Sequence, residues 1–284
     1  MSAPFRQHGP DSPDWPVILS VPHAGRDYPA DLPDDCRFPV SRLLPLEDRM
    51  ADLLAVDALA AGLSGLIAHT PRAFIDLNRA ERDMDPGMLT APMAPPPILS
   101  AKARGGLGLV PRRTAALGEI WRRRFSPQEI AARIERHHRP YHDRLATLLM
   151  AAKRRHGAAL LLDIHSMPPL PSEGDAPPPQ IVIGDRFGRS ADRVLSAIAG
   201  ACFEAEGLRV AFNAPYAGGH ILDRHSAPHL GLHALQIEVD RRLYLDTALD
   251  SAGPGAPHMA AALHRVAMQL SESILDLAVP VAAE

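Results

Sequence analysis

Short apolar runs alternate along the chain with longer segments in which apolar residues recur at helical spacing. The runs Val17–Val21 and 158–164 are too short for helices, and their β-branched and aliphatic residues predict buried strands. Further strands are predicted at 66–69, 73–77, 180–183, 208–212 and 233–239.

Helical spacing predicts helices over 43–63, 126–156, 190–206 and 259–277, with loops at 83–97 and 166–179. The helix at 126–156 has the clearest start, because Ser126 suits an N-cap, Pro127 the first helical position and Glu129 a capping box. Strands alternating with helices predict an α/β fold with a mixed, mostly parallel central sheet flanked by helices. We expect a single domain over 1–284 with an irregular segment at 1–15.

Composition narrows the functional classes. The 30 Lys and Arg residues against 33 Asp and Glu residues give a net charge of -3, so no basic field indicates nucleic acid. Cys36 and Cys202 form no CxxC pair, which disfavours a thiolate metal site or a disulfide framework. No signal-peptide pattern and no run of about 20 apolar residues occurs. We therefore expect a soluble, cytoplasmic protein with neither a nucleic-acid nor a membrane partner.

Histidines follow two predicted buried strands, at the sheet edge where α/β proteins bind ligands. His23 follows the strand at 17–21, and His165 follows the strand at 158–164. A catalytic zinc ion needs three imidazole or carboxylate ligands and one open position. These histidines and one carboxylate of the Glu47/Asp48 pair meet that need, although each histidine could also be a structural hydrogen-bonding residue.

Two further features bear on this metal hypothesis. Asp163 precedes His165 by two residues, so in a strand it shares the same face and is a candidate outer partner of the imidazole. His138 and His142 form a competing pair at helical i,i+4 spacing. No HExxH glutamate accompanies this pair and arginines surround it, so a solvated or outer-shell role is favoured over metal binding.

Charged residues interrupt two otherwise apolar segments. In 72–79, Arg72 and Arg79 are candidates for gripping a substrate carboxylate, although Asp76 and Arg79 could instead pair with each other. Glu238 lies among apolar neighbours, where burial would raise its pKa and suit it to proton transfer, unless it only pairs with a following arginine. The loop at 216–220 contains two glycines that permit close approach to a ligand.

Five short blocks at 21–25 (VPHAG), 76–79 (DLNR), 163–166 (DIHS), 218–219 (GG) and 236–238 (QIE) occur together in this order. This combination resembles the N-formylglutamate amidohydrolase family. The resemblance implies a zinc-carboxypeptidase-like (phosphorylase/hydrolase-like) fold, one zinc ion per chain and a place in histidine degradation.

The resemblance also implies roles for individual residues. The metal ligands would be His23, His165 and Asp48, with Glu47 as the alternative to Asp48, and Glu238 would be the general base. The substrate-binding residues would be Asn78, Arg79, Arg72, Gly219 and His220, and the outer partners would be Asp163 and Asp76. His220 stands where relatives commonly carry an aromatic residue.

The implied reaction is hydrolysis of a small-molecule N-formyl or N-acyl amino acid, with N-formyl-L-glutamate giving formate and L-glutamate. A zinc carboxypeptidase or a peptidoglycan amidase would use the same metal and base. A non-catalytic protein that binds amino-acid derivatives is a third possibility, and retention of Glu238 argues against it.

Overall fold

A computed structural model describes residues 3–172 and 177–277 of the chain. The chain forms two compact units, each built from several segments. Unit 1 consists of Met1–Arg6, Pro22–Glu47 and Ala68–Asp143, and unit 2 of Gln7–Val21, Asp48–Ile67 and Arg144–Glu284. The expectation of a single domain over the whole chain stays a prediction. Part of the loop expected at 166–179, residues 173–176, lies outside the described residues.

Strands and helices are numbered in chain order. The strands are β1 (Phe5–His8), β2 (Val17–Val21), β3 (Ser64–Ala68), β4 (Arg113–Thr114), β5 (Gly118–Glu119), β6 (Ala159–Met167), β7 (Ile181–Gly184), β8 (Val210–Phe212) and β9 (Leu232–Asp240). The α-helices are α1 (Leu32–Asp35), α2 (Val56–Ala60), α3 (Ala101–Arg104), α4 (Pro127–Arg133), α5 (Arg139–His156), α6 (Arg193–Ala205), α7 (His220–His225) and α8 (Ala256–Asp276).

The main sheet has seven strands in the order β1-β3-β2-β6-β9-β7-β8. Strands β3, β2, β6 and β9 run parallel to one another, β7 is antiparallel to β9, and β8 is parallel to β7. Every residue of β2 and β6 is buried, as expected for central strands covered on both faces. The predicted mixed, mostly parallel sheet is therefore confirmed.

Unit 2 gains its core from this sheet and the helices packed on it. Helix α8 packs against α6 and α2 and also contacts β6. Its apolar side includes Met259, Leu263, Val266 and Leu270, each almost fully buried. This packing fixes the central strands, and the polar residues that they carry are held in a rigid frame.

Unit 1 has its own apolar cluster, which includes Phe125, Ile130 and Trp121. The predicted helix from Ser126 is confirmed, because the Ser126 side chain accepts from the Glu129 amide and the Glu129 side chain accepts from the Ser126 amide. One π-helical turn, Ile134–His138, separates α4 from α5. Such a turn inserts one extra residue and re-aims the side chains that it carries.

Several predicted elements are wrong. The single helix over 43–63 is replaced by short 3-10 segments and α2, because Met50 adopts a left-handed conformation with φ 54° that breaks any helix through Asp48. Residues 73–77 form turns, and the Asp76 amide bonds to the Leu109 carbonyl rather than to a strand.

Two further predictions need correction, namely the irregular segment at 1–15 and the end of the strand predicted at 158–164. The segment at 1–15 is not wholly irregular, since Phe5–His8 gains hydrogen bonds at the edge of the main sheet. Strand β6 continues past His165 to Met167 because β9 pairs with it throughout, so His165 lies inside the strand. Within the described part of the chain, no helix is long and apolar enough to cross a membrane.

Candidate active site

His165 lies in unit 2 on the central strand β6, with 2% of its surface exposed. Its Nε2 donates to Asp163 Oδ2 at 2.9 Å, and its Nδ1 donates to Asp48 Oδ2 at 2.8 Å. Burial acts to lower the pKa of His165, but Asp163 and Asp48 outweigh it and place the pKa well above its ordinary value. The imidazole is therefore held between two carboxylates.

Asp48 is buried, with 3% of its surface exposed, and it approaches His165 from outside the sheet. Arg241, directly after β9, lies 3.5 Å from Asp48 Oδ1 and donates from Nε to Ser166 Oγ at 3.2 Å. The described residues include groups of histidine and aspartate that could hold a metal ion, and Asp48 and His165 belong to one of them.

Asp163 is completely buried and has a partner on each oxygen. Ser20 on the adjacent strand β2 donates from Oγ to Asp163 Oδ1 at 2.7 Å, and His165 holds Oδ2. Ser20 and Asp163 are register partners in the parallel pairing of β2 with β6, which explains this contact. The carboxylate is thus fixed, and it fixes the ring orientation of His165.

Glu238 is the register partner of His165 across the pairing of β6 with β9. Paired residues on parallel strands project to the same face, so the carboxylate and the imidazole are neighbours. Glu238 is 8% exposed, and Gln236 donates from Nε2 to its Oε1 at 2.9 Å. The sheet therefore places a carboxylate beside His165.

The loop before α7 packs tightly on strand β7. A Cβ atom on Gly184 would meet the Ala217 carbonyl carbon at 2.7 Å and the Gly218 amide at 2.8 Å. Only glycine fits at this close approach. Gly219 precedes α7, and His220 is its first residue. The braced loop therefore leads directly into Gly219 and His220, two of the residues implied as substrate-binding, at the start of α7.

His23 lies in unit 1, directly after the Pro22 that follows β2, and is 2% exposed. Its Nε2 donates to Asp76 Oδ1 at 2.7 Å. Gly25 permits the close backbone contact that shapes this turn, because a Cβ atom there would lie 2.0 Å from the Thr70 carbonyl oxygen. His23 and His165 thus share one feature: each has its Nε2 on a completely buried aspartate.

Asp76 organises the polar segment of unit 1. Burial acts to raise its pKa, but Arg72, His23 and Arg79 lower it well below the usual range. Arg72 Nε donates to Oδ2 at 2.8 Å, whereas Arg79 Nε lies 3.7 Å from that oxygen. The internal ion pair with Asp76 is therefore present, with Arg72 as the closer partner, and the grip on a substrate carboxylate stays a prediction.

His138 and His142 brace the same segment. Both are completely buried, and their Nε2 atoms donate to the carbonyls of Arg79 at 2.8 Å and Leu77 at 2.9 Å. These carbonyls flank Asn78, which is 7% exposed. The backbone N–H of Asn78 donates to Asp76 Oδ1. The solvated role considered for the pair is wrong, because the π turn and α5 direct both rings inward.

Glu47 and Asp48, the two candidates for the carboxylate ligand, have different partners. Glu47 lies in unit 1 and accepts from Tyr28 Oη at 2.7 Å, whereas Asp48 lies beside His165 in unit 2.

Three residues of the site were not predicted from the sequence, namely Ser20, Gln236 as a partner of Glu238, and Arg241 as a partner of Asp48. Alternation along β2 and β9 could have revealed the first two, because Ser20 and Gln236 are polar residues in buried strands.

Comparison with known proteins gives consistent matches. The model of the N-formylglutamate amidohydrolase family matches residues 15–245. The chain is 30% identical over 267 residues to an N-formylglutamate deformylase of Pseudomonas aeruginosa, covering 92% of each chain. It is also 30% identical over 238 residues to an N-formylglutamate deformylase of Pseudomonas putida, covering 81% of this chain and 82% of that one.

A solved structure shares the fold. The crystal structure of N-formylglutamate amidohydrolase from Ralstonia eutropha JMP134 matches with a TM-score of 0.89 and 31% identity, covering 96% of this chain and 99% of that chain. The family model spans most of the chain, and the resemblance of the five short blocks is confirmed. The chain therefore belongs to the N-formylglutamate amidohydrolase family.

Proposed function

We propose that this protein hydrolyses the amide bond of N-formyl-L-glutamate to give formate and L-glutamate. The names of the two Pseudomonas relatives support this substrate. One structural observation supports the chemistry most directly: His165 is held by buried carboxylates on both ring nitrogens, and Glu238 is its register partner. We also propose that both units form one functional domain, because the family match runs through segments of both.

We propose further that His23, Asp48 and His165 hold one zinc ion. Two imidazoles and a carboxylate are a ligand set of catalytic zinc sites, which keep one position open. The observed contacts fit such a set, because Asp163 and Asp76 bond to the Nε2 atoms of the two histidines, while Asp48, the partner of His165 at Nδ1, would share the metal with that ring nitrogen. Chain position also supports His23, since it follows β2, the neighbour of β6 in the sheet.

Zinc, when bound, would act as a Lewis acid toward the formyl carbonyl and the attacking water. Glu238 would accept a proton from that water and return it to the departing amine nitrogen. The hydrogen bond from Gln236 would hold the Glu238 carboxylate in one orientation for both transfers. Arg241 would offset part of the negative charge of Asp48.

Asn78, Arg79 and Arg72 would bind a carboxylate of the substrate. Asp76 and the two helical histidines fix the backbone of this segment, so its polar groups are pre-organised before substrate arrives. Gly219 and His220 would border the substrate from the start of α7, directly after the braced loop. We also place the reaction in the cytoplasm, where the free thiols Cys36 and Cys202 would stay reduced.

Metal content and formate release from N-formyl-L-glutamate would test this proposal together. We expect about one zinc per chain and formate release that a chelator stops and added zinc restores. Glu238→Gln should keep zinc and substrate binding while losing turnover, which separates an enzyme from a binding protein.

Two outcomes would contradict the proposal in different ways. Bound zinc without formate release would reject this substrate and point to another acyl amino acid or a peptide. Formate release that survives complete removal of metal would reject the zinc site while leaving the substrate in place.

A further inference from the structure

Unit 1 carries a cationic cavity that shares no residue with the proposed active site. It has a volume of about 240 Å³ and is lined by five arginines, Arg37, Arg112, Arg122, Arg123 and Arg124, with Glu119 as its acidic residue. We call it the arginine cavity. Five guanidinium groups around so small a space repel one another unless negative charge compensates them.

Nearby carboxylates compensate two of these arginines. Arg112 lies 2.6 Å from Asp85 and 2.9 Å from Glu119. Arg123 lies 2.5 Å from Asp35 and 2.7 Å from Glu129. The carboxylate that lines the arginine cavity is therefore already paired.

Arg37 and Arg122 are fixed in a different way. Their neighbours Cys36 and Trp121 form an antiparallel bridge. Across it, Arg37 Nε donates to the Trp121 carbonyl at 2.8 Å, and Arg122 Nε donates to the Cys36 carbonyl at 2.6 Å. These crossed bonds orient both guanidinium groups while leaving their charges uncompensated.

Within residues 3–172 and 177–277, neither Arg37, Arg122 nor Arg124 forms an ion pair with a carboxylate. Three cationic groups, two of them oriented by the backbone, thus border a cavity large enough for a small molecule. Guanidinium groups bind phosphate oxygens through paired, charge-assisted hydrogen bonds. A doubly charged oxyanion would relieve their mutual repulsion.

We propose that the arginine cavity is a binding site for a phosphate group, supplied either by inorganic phosphate or by a small phosphate monoester. The bridge between 36 and 121 orients the Arg37 and Arg122 guanidinium groups in advance, so little side-chain freedom is lost when the anion binds. Arg124 adds a third charge at the border. This site is independent of the zinc ligands and of the amide substrate.

Calorimetric titration with inorganic phosphate and, separately, with glycerol phosphate tests the proposal, at ionic strength held constant with chloride. Saturable binding of at least one is expected for the wild-type protein. The Arg37→Gln/Arg122→Gln variant should bind about tenfold more weakly or worse. The matched control Arg154→Gln/Arg193→Gln removes two exposed arginines from helices of unit 2 and should bind like wild type.

Two additional variants distinguish loss of phosphate binding from misfolding and from binding at the proposed metal site. Arg124→Gln changes an exposed side chain and should weaken binding several-fold even if the double variant folds poorly. His165→Ala should retain phosphate binding, which separates the arginine cavity from any anion site at the proposed metal. Absence of saturable binding to wild type, equal loss in the control, or loss in His165→Ala alone would overturn the proposal.

Discussion

Two regions of the molecule bury histidines in different chemical surroundings. On strand β6, His165 is bonded to carboxylates at both ring nitrogens. On the helix from Ser126, His138 and His142 donate their Nε2 protons to main-chain carbonyls. All three rings are nearly or completely buried, so burial does not distinguish them.

The partners distinguish these rings. A carboxylate on one ring nitrogen orients the imidazole and raises its basicity, which favours a metal on the other nitrogen. A main-chain carbonyl instead uses the imidazole as a donor that satisfies a buried backbone group. We infer that the strand histidine serves the chemistry and the helical histidines hold the segment around Asn78, and the following variants test that division.

His165→Ala should give the largest loss. Removing one of three proposed ligands should abolish tight zinc binding and reduce turnover by about 10³-fold or more. Elemental analysis and formate release measure the two effects, and the exposed His229→Ala is the matched control. Full zinc content in His165→Ala would remove the strand histidine from the ligand set.

Asp163→Asn should give the next largest effect. The amide keeps the volume of the side chain but loses the charge that holds His165 Nε2, so zinc affinity should fall about 10–100-fold. Competition with a chromophoric chelator measures this affinity. Asp57→Asn, at an exposed position of α2, should leave it unchanged. Equal affinities in the two variants would mean that Asp163 has no influence on the metal.

Acid should weaken zinc binding through His165. In the metal-free protein the pKa of His165 lies well above 6.5, so the stability gained from its protonated form is complete below about pH 6.5 and is lost as pH rises through the raised pKa. Zinc requires the neutral imidazole and must displace this proton. Affinity should therefore fall about tenfold for each pH unit below the raised pKa. A pH-independent affinity across that range would contradict this competition.

His142→Leu should have the smallest effect on the metal and a clear effect on stability. Loss of the donor leaves the buried Leu77 carbonyl unsatisfied, which should lower the free energy of unfolding by about 1–3 kcal/mol. Zinc content should stay at the wild-type level while KM rises, because the segment around Asn78 loosens. His142→Gln retains a donor and should recover part of the stability. Loss of zinc in His142→Leu would break the division between the two regions.

Local patterns in the sequence were sufficient to predict the central strands and the helix capped by Ser126. Strand β2 matches its prediction residue for residue, and the cap at Ser126 forms as expected, because burial and capping depend on adjacent residues. The helix predicted through Asp48 does not form. Met50 turns the chain there, and the carboxylate of Asp48 is held by His165, which lies 117 residues away in sequence.

In the candidate site, too, contacts between neighbouring residues could be predicted from the sequence, but contacts between residues distant in sequence could not. Asp163 as partner of His165 follows from the two-residue period of a strand. The bond from His142 to the Leu77 carbonyl has no local signal, because it joins residues 65 positions apart. An i,i+4 histidine pair predicts a shared helix face but not whether that face meets a metal, a carbonyl or solvent.

Diffraction from crystals grown with zinc, with anomalous data at the zinc absorption edge, would show directly whether His165 binds the metal. We expect one strong anomalous peak about 2.0–2.1 Å from His165 Nδ1, with Asp48 and His23 as the other protein ligands. A peak on the Nδ1 atoms of His138 and His142, with none at His165, would contradict it.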